Sequence, residues 1–220
     1  MGTLAWQICA VRDGATPACG IFWVIAMKLE HRTLENRFVR LEPLVEAHRE
    51  PLREACAADR DLWLQLYSFS MLDTAFDENF DKLIAGALAG PALSYAVIKD
   101  EACVGTTSLL RVDEANGALE IGGTYYRPEA RGGAVNPAAK RLLFGHAFDG
   151  GMARVYLHVD ALNARSRSAV LKLGAVQEGI LRRDRIVWTG RPRDTVVFSV
   201  LEHEWPQVRD RLDARLADFA

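Results

Sequence analysis

Glu129-Ala130-Arg131-Gly132-Gly133-Ala134-Val135-Asn136-Pro137-Ala138-Ala139-Lys140 joins a glycine loop directly to a helix-start signal. Asn136 followed by Pro137 reads as an N-cap and a proline at the first helical position. Upstream lies a β-like run, Leu119 to Tyr126. Downstream, Pro137 to Phe148 carries a helical apolar stripe through Ala139, Leu142, Leu143 and Ala147, and Gly150-Gly151 ends it. A strand, a glycine loop and a helix in that order aim unpaired backbone N–H groups and partial positive charge at one spot. Such a spot suits phosphate and points to a nucleotide-like cofactor.

Working outward, Phe38 to Leu41 alternates as a first strand, and Val45 to Ala57 and Asn79 to Ala89 carry helical spacing. Between those helices runs an irregular aromatic segment with Trp63, Tyr67, Phe69 and Phe76. Ser94–Lys99, Cys103–Arg111 and Ala118–Tyr126 read as three meander strands, the last two joined by the turn signal Asp113 to Gly117. Beyond the glycine loop come a strand from Arg154 to Val159 and a short helix capped by Asn163 that stops at Gly174. A strand pair, Val176–Trp188 and Thr195–Leu201, and a last helix from Trp205 to Leu216 complete the pattern. The expectation is one α/β domain over residues 27–220, with a mixed, largely antiparallel sheet flanked by helices.

The 220 residues can bury a substantial core, and half of them are hydrophobic. A formal net charge of −2 leaves no basic footprint for nucleic acid. Cys9, Cys19, Cys56 and Cys103 are scattered without metal-ligand spacing, which suggests reduced thiols, a cytoplasmic protein and no metal. The apolar run Ile21 to Met27 is too short to span a bilayer, so no membrane role is expected. Residues 1–26 read as an extension of doubtful order or an over-extended start, since Met27 opens an ordinary-looking protein beginning.

From Leu34 to Leu201 the order of parts resembles the GCN5-related N-acetyltransferase (GNAT) superfamily, in particular its RimJ/RimL-like branch. The acetyl-CoA loop pattern of that superfamily, Gln/Arg-x-x-Gly-x-Gly/Ala, is matched at Gly132 and Ala134 and departs at Glu129. A carboxylate cannot donate to phosphate, so Arg131 would share that role. Asn163 to Gly174 resembles the superfamily's next helix. Val170 stands where most relatives carry a thiolate-protonating tyrosine, and Ser166 matches a serine found in the RimJ/RimL branch.

The resemblance implies acetyl-CoA as co-substrate, held by Arg131, Gly132, Gly133, Ala134, Val135, Asn136 and Asn163. It implies direct transfer to a primary amine (a protein N-terminus, an amino acid or a small amine), in a monomer or homodimer. Glycine and alanine permit close approach to pyrophosphate. The pantetheine arm can pair like an added strand. The amine must lose a proton before attack, and a donor must stabilise the oxyanion and then the thiolate.

Glu120 is the candidate base, facing away from Leu119 and Ile121, and burial would raise its pKa. A salt-bridged edge carboxylate is the competing reading. Ser166 is the candidate acid, set against a serine bonded back to its own helix. Asn163 caps its helix whether or not it also reaches the cofactor. His146 reads as packing and His158 as structural. Most arginines of the run Arg182, Arg183, Arg185, Arg191 and Arg193 read as a solvated hairpin face. A catalytically silent acyl-CoA sensor and a protein-interaction module on the same fold are the alternative functions.

Overall fold

The computed structural model describes residues 29–87 and 90–219. The expected extension over residues 1–26, with Cys9 and Cys19, lies outside the described residues. The elements in chain order are β1 (Leu34–Glu35), β2 (Arg40–Pro43), α1 (Arg49–Ala57), α2 (Arg60–Leu66), α3 (Ala75–Ile84), β3 (Leu93–Lys99), β4 (Ala102–Asp113) and β5 (Ala118–Tyr126). Then follow α4 (Val135–Asp149), β6 (Arg154–Asp160), α5 (Ala164–Leu173), β7 (Val176–Ile186), β8 (Pro192–Leu201) and α6 (Trp205–Ala217). The strands form one eight-stranded sheet in the order β1-β2-β3-β4-β5-β6-β8-β7. All neighbours are antiparallel except β5 and β6, which are parallel because α4 crosses between them. The expected mixed, largely antiparallel α/β architecture is therefore the observed one.

Alternation along the strands sorts side chains onto two faces. Leu119 and Ile121 of β5, Val155, Leu157 and Val159 of β6, and Val196, Phe198 and Val200 of β8 share a core with α4 and α6. Ala96, Ile98 and Tyr125 face a second core with Leu52, Ala55 and Cys56 of α1, Trp63 of α2, and Phe76 and Phe80 of α3. The aromatic segment expected to be irregular thus contains a helix. Asp59 caps α2 by accepting from the Leu62 N–H, and Trp63 is packed between Tyr67 and Tyr125. α3 starts four residues earlier than expected and ends at Ile84.

α4 begins at Val135 with Ala134 as its N-cap, so Asn136 is not the cap but lies in the first turn. Pro137 follows within that turn, where a missing N–H costs no helical bond. α5 starts as expected. The Asn163 Oδ1 accepts from the Ser166 N–H at 2.9 Å, and Gly174 ends the helix with φ +99°.

Candidate active site

β5 and β6 pair only at Ala118↔Arg154, Leu119↔Val155 and Glu120↔Tyr156, then diverge. Past that point the backbone groups of Ile121 to Thr124 and of Leu157 to Asp160 border a gap instead of each other. A bulge between β4 and β5 drives the divergence. Thr106 pairs with Tyr125 while Ser108 pairs with Gly122, and Gly123 takes φ +58°. Gly122 is constrained by space, since a Cβ there would lie 2.9 Å from Glu120 Oε1 and 2.8 Å from Leu110 Cδ1. The gap opens into a cavity of about 610 Å³ that reaches from the glycine loop to the β7–β8 hairpin.

At the open end, Gly132 has φ +80°, and a Cβ on either Gly132 or Gly133 would meet no atom within 4 Å. No side chain caps the N-terminus of α4, which leaves its first-turn N–H groups facing this space. Arg131 behaves differently from expectation. Its guanidinium turns inward, paired with Asp59 and donating from Nε to the Tyr126 carbonyl at 2.6 Å, which leaves Nη2 buried and unpartnered. Glu129 sits in a short 3₁₀ turn, ion-paired with Arg127 at 2.9 Å and away from the cavity. Tyr126 Oη and Arg215 Nη1 are likewise buried without partners in the cavity wall. Open glycine backbone, an uncapped helix start and unsatisfied donors fit a polyanionic ligand such as the pyrophosphate and phosphate groups of CoA.

At the closed end, Glu120 is 5% exposed and lies opposite Leu119 and Ile121, as its alternation predicts. Its carboxylate is ion-paired with Arg111, and His158 Nδ1 lies 3.1 Å from Oε2. Burial pushes this carboxyl upward, but His158 and Arg111 together outweigh it and hold the group below its ordinary range. The expected upward shift is therefore corrected: Glu120 is a firmly ionised carboxylate. Because a carboxylate only accepts, the proton shared with Glu120 lies on His158 Nδ1. His158 thus belongs to the cavity wall and pairs with Glu120.

Arg111 reaches Glu120 from a strained position, φ +50° in a second bulge of β4. Ser166 and Asn163 border the same cavity from α5, and Val170 is buried beside them. His146 has no role there; it meets the Glu30 carbonyl at 2.9 Å. Arg185 and Arg193 also line the cavity, and Arg193 is buried, so these two are not part of a solvated face.

Lys140 escaped the sequence reading. It is 5% exposed, and among the described residues its side chain makes one hydrogen bond, a donation from Nζ to Thr124 Oγ1 at 2.9 Å, with Thr124 bonded in turn to Thr107 at 2.8 Å. Burial pushes the Lys140 amine down to about 7. A signal was present: Lys140 sits on the inward stripe with Leu143, Phe144 and Ala147, where a lysine interrupts an apolar face.

The site is thus a wedge between two parallel strands of an α/β fold, open toward a glycine loop and closed on a carboxylate–imidazole pair. Residues 39–176 match the acetyltransferase (GNAT) domain family. A GCN5-related N-acetyltransferase from Brucella melitensis is 32% identical, with a TM-score of 0.78 over 85% of this chain and 86% of that one. A T. thermophilus protein assigned to the acetyltransferases is 34% identical, with a TM-score of 0.76 over 84% of this chain and 97% of that one. Mycobacterium smegmatis RimJ, solved in complex with CoA-disulfide, shares the fold at 23% identity, with a TM-score of 0.70 over 83% of this chain and 91% of that one. No functionally curated protein matches the sequence. The chain belongs to the GNAT acetyltransferases.

Among the described residues no helix is long and apolar enough to cross a membrane. No cluster of three or more His, Cys, Asp or Glu side chains there could hold a metal.

Proposed function

We propose that the protein is an N-acetyltransferase that moves the acetyl group of acetyl-CoA to a primary amine by direct attack. The observation that carries this reading is the continuity of one cavity from the Gly132–Gly133 loop to the Glu120–His158 pair. Gly132, Gly133, Ala134, Val135 and Asn136 offer backbone N–H groups to the pyrophosphate, Arg131 contributes its unpartnered Nη2, and Asn163 borders the same site. Bound acetyl-CoA supplies an activated thioester; the C–N bond forms as the C–S bond breaks. Backbone groups of β5 and β6 left unpaired by the splay hold the donor's arm like an added strand.

Glu120 fixes His158 and stabilises positive charge on it, and Nε2 of the neutral ring takes the proton of the attacking amine. Ser166 donates to the departing thiolate, since Val170 cannot. The acceptor is a small amine or a protein N-terminus, and a cytoplasmic location accords with the free thiols of Cys56 and Cys103. The test is thiol release from acetyl-CoA with and without a pool of primary amines and peptides. Amine-dependent release with an acetylated product is expected; release that ignores added amine, or none while acetyl-CoA binds, would overturn the reading.

A further inference from the structure

The acceptor must approach from the side of the sheet opposite α4 and α6. Glu120, His158, Asp160 and Arg193 all point to that side, because Leu119, Ile121, Leu157, Val159 and Val196 fill the other core. The cavity is closed there by α2 and the β7–β8 hairpin, which are tied together. Trp188 Nε1 donates to the Trp63 carbonyl at 3.1 Å, and Arg191 Nη2 donates to the Gln65 carbonyl at 3.0 Å.

The charges on this wall do not balance. Arg111 is taken by Glu120, Arg185 by Asp184 at 2.7 Å, and Arg191 by Asp160 at 2.5 Å. Arg193, on the same wall, is left without a carboxylate of its own. It is 7% exposed, and among the described residues its Nε has no hydrogen-bond partner and its nearest carboxylate oxygen, on Asp160, is 3.9 Å away and already held by Arg191. The Asp160 Oδ1 is occupied as well, accepting from the Leu162 N–H at 2.9 Å. The remaining contact of Arg193 is a long donation to the His158 carbonyl at 3.4 Å. Burial pushes this guanidinium down, with Arg185 adding repulsion against the attraction of Asp160, Asp184 and Glu120. A buried cation left one counter-charge short is costly in the free protein and calls for an anion.

We propose that the acceptor is a small primary amine that also carries a carboxylate, with the carboxylate seated on Arg193 and the amine at the Glu120–His158 pair. This rests on the acetyltransferase reading and names its substrate class. Arg193 Nη2 lies 3.4 Å from the main-chain carbonyl of His158, so the carboxylate seat adjoins the residue proposed to face the amine. A carboxylate supplies the counter-charge that Arg193 lacks. The planar guanidinium edge matches a carboxylate in geometry too. Arg193 is thus a specificity-determining residue for the transfer.

The experiment compares kcat/KM for matched pairs, free amino acids of graded length against their carboxamides, by thiol release at saturating acetyl-CoA. Acidic and amidated short peptides form a second arm that separates free amino acids from protein N-termini. The wild-type protein should favour the free carboxylates at least tenfold, chiefly through KM, and Arg193→Gln should lose most of that preference while binding acetyl-CoA as before. The wild-type comparison stands even if Arg193→Gln does not fold. Carboxamides used as well as acids, acidic peptides preferred over free amino acids, or no carboxylate-bearing amine used while acetyl-CoA binds, would each overturn the proposal. Failure to bind acetyl-CoA would instead remove the donor reading beneath it.

Discussion

Glu120→Gln keeps the shape of the Glu120 side chain but removes the charge that fixes and stabilises His158. Turnover should fall about 100-fold while acetyl-CoA affinity, measured by titration calorimetry, stays at the wild-type value; unchanged turnover would take Glu120 out of the mechanism. His158 and Arg111 hold this carboxyl below its ordinary range, so Glu120 is ionised across neutral and mildly acidic pH. Any acid limb of activity between pH 5 and 7 therefore belongs to another group.

Lys140 makes a separate prediction. Its folded amine titrates at about 7, far below its unfolded value, so the unfolded chain binds more protons across the window from there to about 10.4. Stability should rise with pH through that window, and Lys140→Met should flatten the rise. Urea midpoints at pH 6.5, 8 and 9.5 measure it, and an unchanged slope in the variant would contradict the assignment.

The orientation of Glu120 was readable from its place between Leu119 and Ile121. Its ion partners were not: Arg111 and His158 come from β4 and β6, nine and thirty-eight residues away, and only the sheet register brings them to one carboxylate.

At the scale of elements, α5 was the most readable, because its start and stop are local chemistry. The Asn163 cap and the left-handed Gly174 need no distant contact. Asn163→Ala should cost about 1 kcal/mol of stability, read from a denaturant midpoint. Gly174→Ala should cost about 1–2 kcal/mol, since the φ of +99° is unfavourable for alanine; its Cβ would also lie 2.7 Å from Arg211 Nη1.

The start of α4 was readable only to within two residues. Asn136-Pro137 is a sound local signal, yet Arg131 is anchored to Asp59 of the α2 cap and to the Tyr126 carbonyl, and the helix begins one residue before Asn136. Gly132→Glu would set an anion in the open space beside that start. Acetyl-CoA affinity of the folded variant should drop more than tenfold, beside a stability cost of about 1–2 kcal/mol from the φ of +80°, and retained affinity would dissociate the loop from the phosphates.

Over the whole molecule, the meander of β3, β4 and β5 was readable from its turns, whereas the place of β8 between β6 and β7 was not. The crossover makes β5 and β6 the parallel pair, and the bulge at Gly122–Gly123 makes that pair splay. The arginines of the hairpin resisted reading for the opposite reason. Arg182, Arg183, Arg185, Arg191 and Arg193 look alike in sequence, and only the register of β8 against β6 and β7 buries Arg193 while leaving Arg182 and Arg183 in solvent. The cavity, too, is a product of assembly, since its walls come from α2, α4, α5, two diverging strands and a hairpin.

The central claim is that this cavity takes acetyl-CoA between β5 and β6. Calorimetric titration of the purified protein with acetyl-CoA, beside CoA lacking the acetyl group, tests it most directly. Micromolar binding, about −8 kcal/mol, lost in Gly132→Glu, is the predicted result. No binding of either ligand at millimolar concentration would contradict the account.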